Sequence, residues 1–369
     1  MRASIVTASL ALCSSLRAPS LAPAGSLGAS RALAATASYA RHTSKLLRPT
    51  TPPPPPPPSL SAAELAACAD TVSAYLDRCG GKVVLLTGAG ISVDSGIPDY
   101  RGPKGSYYTN HRPITHDEYV STKTTAHLQR YWSRSLVGYD RFAMAKPNSA
   151  HIAMAELQRA GRFGVSFGSP PSHVSTITQN VDELHQAAGS THVVNLHGSG
   201  HDMVCLSCGE KTKRAAFHER LAAANPALME TIERFDGDPS GDGVEEPELR
   251  PDGDADLQGV DVSSMKIEGC RSCGGLLKPD VVFFGAQVPK DDVQLCYDAC
   301  DAAEGMVVAG SSLTVYSAFR FVRHMLGAGK QVMVVNVGET RADGMEGVIR
   351  VNAHVGDVFS ELAKRAKSS

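Results

Sequence analysis

Short apolar runs alternate with amphipathic helical stretches along most of the chain. Six runs of apolar and β-branched residues have the length of a buried parallel strand; they are 82–87, 175–178, 193–196, 281–284, 306–309 and 332–336. Helical spacing of apolar positions is found at 151–160, 315–328 and 357–367. This alternation predicts an α/β fold with a Rossmann-like, doubly wound parallel sheet, in which ligands bind beyond the carboxyl ends of the strands.

The segment 201–277 interrupts this alternation. It contains two Cys-x-x-Cys pairs and, within 236–261, ten carboxylates with a single arginine, Arg250. A segment with so much charge and so few apolar residues cannot bury a core of its own. We therefore expect a small inserted zinc-binding module at about 201–277, containing a disordered acidic loop at 236–262.

The four cysteines of the two pairs, Cys205, Cys208, Cys270 and Cys273, have the pattern of a structural zinc site. Four thiolates close a tetrahedral shell around Zn²⁺ and leave no position for a reacting water. The 61 residues between the pairs exceed the usual spacing, so the intervening chain has to loop out. The odd total of nine cysteines suits a reducing compartment better than a disulfide framework.

Charge is divided unevenly between a leader and a body. Residues 1–60 contain six Lys and Arg but no Asp or Glu, which leaves 30 basic and 38 acidic residues in 61–369. An acid-free leader rich in Ala, Ser and Arg is typical of organellar import. We expect a transit peptide at 1–50 and a polyproline linker at 51–60. The destination would be the mitochondrial matrix, with the chloroplast as the alternative.

The body, 61–369, is expected to be a single folded domain. Ser61 and Glu64 have the spacing of a capping box, which predicts that its first helix begins there. Its acidic balance argues against nucleic-acid binding, because phosphate backbones require basic surfaces. The chain has no run of about 18 uncharged apolar residues, so the sequence predicts no membrane span. The oligomeric state is left open.

The first predicted strand leads into a glycine-rich turn and a long loop. Glycines in Gly88-Ala89-Gly90-Ile91-Ser92 allow positive φ and a close approach of backbone N–H groups to a phosphate. Val93 stands where the hydride-transfer fingerprint has its third glycine. The loop carries Gly96-Ile97-Pro98-Asp99-Tyr100-Arg101, a composition typical of a lid over a cofactor.

Polar or small residues follow four of the later runs. These motifs are Gln179-Asn180-Val181-Asp182, His197-Gly198, Gly310-Ser311-Ser312 and Asn336-Val337-Gly338. Amides and carboxylates can bond ribose hydroxyls and a carboxamide, and small residues expose N–H donors to phosphate or ribose. His197 is a candidate general base, because a pKa near 6.5 suits proton abstraction at neutral pH.

These motifs, in this order, resemble those of the sirtuin family. GAGIS, GIPDYR, QNVD, LHG, the two Cys-x-x-Cys pairs, KPDVVFFG, GSS and NVG all occur between about 61 and 365. The runs RYWSR at 130–134 and NVGETRAD at 336–343 are similar to the class II branch. That branch includes the mitochondrial sirtuin four of animals and a plant organellar sirtuin.

The resemblance implies an NAD-dependent protein-lysine deacylase with one structural Zn²⁺. In sirtuins the acyl oxygen of the substrate lysine attacks the nicotinamide ribose as nicotinamide leaves. A histidine, here His197, then deprotonates a ribose hydroxyl, which attacks the acyl carbon. The products are nicotinamide, free lysine and O-acyl-ADP-ribose, and the partners are acyl-lysine proteins or peptides.

The resemblance also implies roles for the other motifs. Asn180 and Asp182 would hold the ribose and the carboxamide, with Gln179 nearby, and 99–101 would form the lid. The residues expected against the adenosine half are Ser311, Ser312, Asn336 and Val355. Val282 and Phe284 would lie near the acyl-lysine tunnel.

Tyr131 and Arg134 stand three apart on a predicted helix and therefore share a face. The desuccinylating sirtuins have a similar Tyr-x-x-Arg pair that binds an acidic acyl group, and a bidentate Arg suits a carboxylate. This gives the hypothesis that the chain prefers acidic acyl groups to acetyl. The alternative is an exposed helical pair or an internal salt bridge.

Other activities remain open at this stage. Within the family these are protein ADP-ribosyl transfer and lipoamide removal. An NAD(P) oxidoreductase is disfavoured by Val93, and a zinc-ribbon binding module without catalysis is disfavoured by His197. One segment, 163–175, is longer than expected before the QNVD motif. Gly168 and Pro170-Pro171 cannot lie inside a central strand, so a loop is expected to bulge there unless the insertion is spurious.

Overall fold

A computed structural model describes residues 59–102, 105, 113–121, 123–237, 249–255 and 260–368. All of them belong to one unit, Leu46–Ser369. The predicted transit peptide, the polyproline run and much of the acidic loop lie outside the described residues. Within the described ranges, no helix combines the length and the apolar character needed to cross a bilayer.

The helices of the described residues alternate with strands as the sequence predicts. In chain order they are α1 (Ala62–Arg78), α2 (His116–Tyr119), α3 (Ala126–Met144), α4 (Ser149–Arg159), α5 (Leu184–Ala187), α6 (Arg214–Ala224), α7 (Pro226–Gly237), α8 (Lys290–Ala302), α9 (Tyr316–Gly327) and α10 (Val355–Ser368). The capping box is present at the start of α1, where the Ser61 backbone N–H donates to Glu64 Oε2 at 2.8 Å.

The main sheet has six parallel strands. They are β1 (Val83–Thr87), β4 (Thr176–Thr178), β5 (Val193–Asn195), β9 (Gly305–Ala309), β10 (Val332–Val335) and β11 (Val348–Val351). Their spatial order is β11-β10-β9-β1-β4-β5, which is the doubly wound dinucleotide-binding order. The strand order reverses between β1 and β9, so a crevice opens beyond the carboxyl ends of these two strands.

Both faces of this sheet are buried. Val83 and Leu85 of β1 pack in one core cluster with α1, α4 and α10, whereas Val84 and Leu86 pack in a second cluster with α8 and α9. Successive side chains of a strand point to opposite faces, so a strand covered on both faces has to be apolar throughout. This explains why β1 appears in the sequence as a continuous apolar run.

The long segment before the QNVD motif folds as a hairpin of β2 (Val165–Phe167) and β3 (Ser172–Val174), which pair antiparallel. Gly168, with φ of +79°, lies in its turn together with Pro170 and Pro171. The prediction that these residues stay outside the central strand is confirmed. The main-sheet strand begins afterwards, at Thr176.

The prediction of a main-sheet strand at 281–284 is wrong. The strand in this region is β8 (Leu277–Val281), and it pairs antiparallel with β6 (Gly198–Cys205) in a separate sheet completed by β7 (Lys211–Lys213). Pro279 is tolerated because β8 is an edge strand. Local apolar character identifies a strand but does not say which sheet it joins, because pairing is decided by residues distant in sequence.

A buried histidine pair lies behind the carboxyl end of β1. The rings of His151 and His185 are 5.2 Å apart, and His185 Nε2 is 2.9 Å from Thr87 Oγ1. Each ring is buried with one nitrogen that has no hydrogen-bond partner. Burial lowers the pKa of His151 to about 4. Burial and then the neighbouring His151 lower the pKa of His185 to about 3.

We expect this pair to make stability decrease in mild acid. Both folded-state pKa values lie below the unfolded value near 6.5, so the unfolded chain binds more protons as the pH falls below about 7. The free energy of unfolding should therefore decrease by about 2 kcal/mol for each histidine between pH 7 and 5. Urea titrations across this range should show a smaller pH dependence in His185→Gln. The exposed His354→Gln is the control; an equal change in both variants would contradict the prediction.

Candidate active site and metal centre

The ends of β1 and β9 touch at the point where the strand order reverses. The Gly90 N–H donates to the Gly310 carbonyl at 2.9 Å. A Cβ at Gly88 would lie 2.8 Å from Ser311 Cβ, and a Cβ at Gly90 would lie 2.8 Å from the Gly310 oxygen. Gly88 has a φ of −140°, so the expected positive φ is found not there but at Gly310, with φ of +61°. These glycines are required because the two loops pack backbone to backbone.

The QNVD motif after β4 joins this crossing through a buried polar network. Ser92 Oγ donates to Asp182 Oδ2 at 2.7 Å, and Asn180 Nδ2 donates to Ser92 Oγ at 3.0 Å and to the Gly88 carbonyl at 3.2 Å. Burial raises the pKa of Asp182, while the hydrogen bond from Ser92 opposes that shift. Ser92 therefore connects the glycine-rich turn to both predicted polar residues.

Gln179 links the same motif to β9. Its Nε2 donates to Ser311 Oγ at 2.8 Å and to the Thr87 carbonyl at 3.2 Å. Val181 packs beside Phe142, and its carbonyl accepts from the Gly200 N–H at 2.7 Å. The predicted residues 88–92, 179–182 and 310–311 thus form one connected group.

His197 lies at the end of the β5 segment with both ring nitrogens engaged. Nδ1 is 2.9 Å from the Gln179 carbonyl, and Nε2 is 2.7 Å from Ser317 Oγ. A carbonyl only accepts hydrogen bonds, so Nδ1 carries the proton and Nε2 holds the lone pair. Loss of hydration lowers the pKa of His197 to about 4, so the value near 6.5 expected from the sequence is not kept in the folded protein. The ring is therefore neutral at pH 7, with its basic nitrogen on the Ser317 side.

The NVG motif lies next to this group, at the end of β10. The Gly310 N–H donates to the Val335 carbonyl at 3.1 Å, which ties the two strand ends together. The buried Asn336 donates from Nδ2 to the Val337 carbonyl at 2.7 Å. Gly338 donates to Asn352 Oδ1 at 3.4 Å, and Val355 is buried at the start of α10. Ser312 Oγ is 3.0 Å from Thr314 Oγ1.

The predicted lid follows the turn directly. Gly96 takes a left-handed φ of +84°, and Ile97 is buried against Phe142 and Val181. Asp99 Oδ1 accepts from the Gly102 N–H at 2.8 Å, and burial raises the pKa of this carboxyl. Pro98, Tyr100 and Arg101 are half-buried. The segment predicted to form the lid is therefore anchored at Ile97, and Asp99 stabilises its turn.

The residues expected near an acyl chain directly follow β8. Val282 donates its N–H to the His197 carbonyl at 2.8 Å, and the Phe284 carbonyl accepts from the His116 N–H at 2.9 Å. Between them, the ring of Phe283 packs 5.6 Å from the ring of Tyr131 on α3. The prediction of a helix at 131–134 is confirmed, and Tyr131 is buried whereas Arg134 is half-buried.

Arg134 lies beside a carboxyl that the sequence reasoning did not connect with it. Asp254 lies within 236–262, which the sequence predicts to be disordered; that prediction is wrong for 249–255, because Asp254 is 3% exposed and the Ala255 N–H donates to the Arg134 carbonyl at 3.0 Å. Burial and then Asp252 raise the pKa of Asp254 to about 8, against the opposing charges of Arg134, Arg214 and Arg250. Asp254 is therefore largely protonated at neutral pH.

The four predicted zinc ligands form one cluster, with all sulfurs within 4.8 Å of one another. The Cys205–Cys273 and Cys208–Cys270 sulfur distances are 3.5 and 3.8 Å. Sulfurs at about 2.3 Å from one tetrahedral Zn²⁺ lie about 3.8 Å apart, so the cluster fits this ion. Left-handed glycines, Gly209 and Gly274, turn the chain after each pair.

Two neighbours of the site were not identified from the sequence. Ser317 is bonded to His197, and His201 Nε2 lies 3.1 Å from the Asp182 carbonyl while its ring stacks on Phe142 at 5.2 Å. His201 follows the LHG motif by three residues, which is a weak signal. Ser317 carries no motif of its own.

The residues gathered at the strand ends fit a dinucleotide such as NAD. Amide groups of Gln179 and Asn180 and hydroxyls of Ser92 and Ser311 surround the crossing of β1 and β9. Amides and hydroxyls both donate and accept, as ribose hydroxyls and a carboxamide require. The position at the strand-order reversal is also where this topology binds dinucleotides.

Comparison with known proteins gives consistent matches. A model of the Sir2 family matches residues 88–317. The chain is 40% identical over 283 residues, 76% of this chain and 72% of the relative, to "NAD-dependent protein deacylase SRT2" of Arabidopsis thaliana. It is 39% identical, over 76% of this chain and 82% of the relative, to "NAD-dependent protein deacylase Sirt4" of Drosophila melanogaster.

A solved structure described as "Sir2-p53 peptide-NAD+" is also similar to this fold. It matches with a TM-score of 0.53 and 27% identity, over 78% of this chain and 94% of that chain. The likeness therefore extends over most of this chain and nearly all of that structure.

Proposed function

This chain belongs to the Sir2 family and is an NAD-dependent protein-lysine deacylase, and we propose that His197 is the general base of its reaction. The observation that supports this role is the hydrogen bonding of the His197 imidazole. The Gln179 carbonyl holds the proton on Nδ1, which leaves Nε2, on the Ser317 side of the ring, as the nitrogen with a lone pair for the base. When bound, NAD supplies the ribose that receives the acyl group as nicotinamide leaves.

The other residues of the group position and desolvate the reactants. Asn180 and Asp182 are held by Ser92, so that Asn180 Oδ1 and the remaining lone pairs of the Asp182 carboxyl can accept from ribose hydroxyls or an amide. Fixed polar groups of this kind lower a barrier because they need no reorganisation during the reaction. His197 Nε2 would accept the proton of the attacking hydroxyl.

The reaction type is tested by incubating the protein, truncated to begin near Ser59, with NAD and acyl-lysine peptides. We expect nicotinamide, free lysine and O-acyl-ADP-ribose, with no NADH absorbance at any time. Label from adenine-labelled NAD should appear in the soluble acyl ester. Label on protein would instead support ADP-ribosyl transfer, and NADH would support an oxidoreductase; either result without deacylation would exclude the proposed reaction.

We further propose a preference for acidic acyl groups through Tyr131 and Arg134. Tyr131 packs against Phe283, between the two residues expected along the acyl-lysine tunnel, and Arg134 lies one turn further along α3. Burial raises the pKa of the neighbouring Asp254 to about 8, which lowers the negative charge beside Arg134 at neutral pH. A charge-assisted bond to this guanidinium would stabilise a glutaryl group but not an acetyl group.

A peptide panel of acetyl, glutaryl and methylglutaryl lysine checks this preference. The acidic chains are expected to be about 10- to 100-fold better in kcat/KM, and Arg134→Met should remove that advantage. The advantage should decrease above about pH 8 as Asp254 ionises, and Asp254→Asn should remove this pH dependence. Greater efficiency on acetyl, unchanged in Arg134→Met, would contradict the preference.

We also propose import into the mitochondrial matrix, with the chloroplast as the alternative. The support is the acid-free, basic composition of 1–60. A fluorescent protein fused after residue 60 should reach the organelle, whereas a fusion that lacks 1–50 should not. Equal distribution of the two fusions would refute the import role.

A further inference from the structure

The basic nitrogen of His197 is hydrogen-bonded to a serine that lies outside all of the motifs. Ser317 Oγ lies 2.7 Å from His197 Nε2, although the two residues are 120 positions apart. Since Nδ1 carries the proton, the hydroxyl of Ser317 donates and Nε2 accepts. The contact therefore involves the same lone pair that proton abstraction would use.

Ser317 lies at a helix start that hydrogen bonds to its neighbours stabilise. It is the second residue of α9, which begins after Val315. The loop before it is fixed by a bond from the Leu313 N–H to Ser311 Oγ at 3.2 Å, and Leu313 is buried with φ of +56°. The Arg320 Nε–H donates to the Ser317 carbonyl at 3.0 Å. The hydroxyl thus approaches the imidazole from the first turn of α9.

A hydroxyl suits a base that changes its protonation state. It donates to the lone pair of neutral Nε2 and, after rotating about its Cβ–Oγ bond, accepts from Nε2–H of the imidazolium. The carbonyl of Gln179 accepts from Nδ1 in both states. The ring therefore keeps one orientation while a substrate hydroxyl displaces the hydrogen bond from Ser317 and transfers its proton to Nε2.

We propose that Ser317 is a positioning residue for His197: its hydroxyl holds the imidazole in one orientation, with Nε2 as the basic nitrogen, before and after proton transfer. This inference rests on the proposed role of His197 as base. It assigns to the start of α9 a part in catalysis separate from the binding of NAD by the strand-end motifs. Arg320, whose charge also lowers the pKa of His197, helps to keep the ring neutral from the same helix.

Threonine and valine have nearly the same shape, but only threonine has a hydroxyl. Ser317→Thr and Ser317→Val therefore form a matched pair. We expect Val, and likewise Ala, to lower kcat for O-acyl-ADP-ribose formation at least about 10-fold, as partial loss of general-base catalysis. The Thr variant should remain within about threefold of wild type. Ser360→Ala, on α10, is the control and should leave kcat unchanged.

A second readout separates positioning from a structural role. The base acts after nicotinamide has left, so exchange of labelled nicotinamide into NAD reports the preceding step. Exchange, the KM for NAD and the melting temperature should stay near wild type in Ser317→Val. Equal loss of exchange and product, or full product formation by Ser317→Val, would overturn the inference. Failure of the wild-type chain to form O-acyl-ADP-ribose would instead refute the proposed reaction.

Discussion

Replacement of His197 by tyrosine is expected to abolish deacylation while the protein stays folded. A phenol has a pKa near 10 and is not a base at neutral pH, so the contribution of about 10²- to 10⁴-fold from proton abstraction is lost. His197 is half-buried at the edge of the site, and the substitution leaves the zinc cluster untouched. Steady-state assays of kcat/KM, with zinc content and melting temperature measured on the same samples, check this result.

The matched control is His173→Tyr, which replaces an exposed histidine on the β2–β3 hairpin. It should retain full activity. If His197→Tyr kept more than about a tenth of the wild-type rate, His197 would not be the base. Loss of zinc or of the folding transition in this variant would mean that the ring is structural.

Replacement of Cys205 by serine is expected to release zinc and unfold the protein, or at least its zinc module. Serine offers no thiolate, and structural Zn²⁺ contributes about 10–16 kcal/mol of apparent binding free energy in small zinc domains. That is as large as the whole stability of a typical domain, about 5–15 kcal/mol. Cys205 is 1% exposed and lies in the same cluster as Phe217 and Leu277. Loss of the zinc–Cys205 bond therefore also destabilises the hydrophobic cluster around Cys205.

Metal analysis and thermal denaturation give the measurement. The wild type should contain one zinc per chain, and a chelator should lower its melting temperature as Cys205→Ser does. Cys68→Ser, at a half-buried position outside the cluster, should keep both zinc and stability close to wild type. A stable, soluble Cys205→Ser protein with one equivalent of zinc would show that these four sulfurs are not the ligands.

Much of the fold could be predicted from local patterns. Strand β1 is recognisable because both of its faces are buried, which makes every residue of 83–86 apolar. Ser61 and Glu64 identify the start of α1 because a capping box involves only four successive residues. The four cysteines identify their cluster because few other arrangements suit two Cys-x-x-Cys pairs. Each of these features depends on neighbours within a few positions.

Several features of the site could not be predicted in this way. The strand at 277–281 joins β6 rather than the main sheet, and Gly88 and Gly90 contact the β9 loop more than 200 residues later. Asp254, from within the predicted acidic loop, lies beside Arg134 on α3. None of these contacts produces a periodic pattern in the sequence. They depend on the order of the strands in the sheet, which local patterns do not reveal.

The sequence by itself determined the fold class, the zinc ligands, the family and His197 as the candidate base, because these follow from periodicity and from short motifs. Only the tertiary structure decided which nitrogen of His197 is basic and that Ser317 is bonded to it. The physical reason is that a tautomer depends on the partners of both nitrogens. Those partners, Gln179 and Ser317, meet the ring only after β4, β5 and α9 have packed around one edge of the sheet.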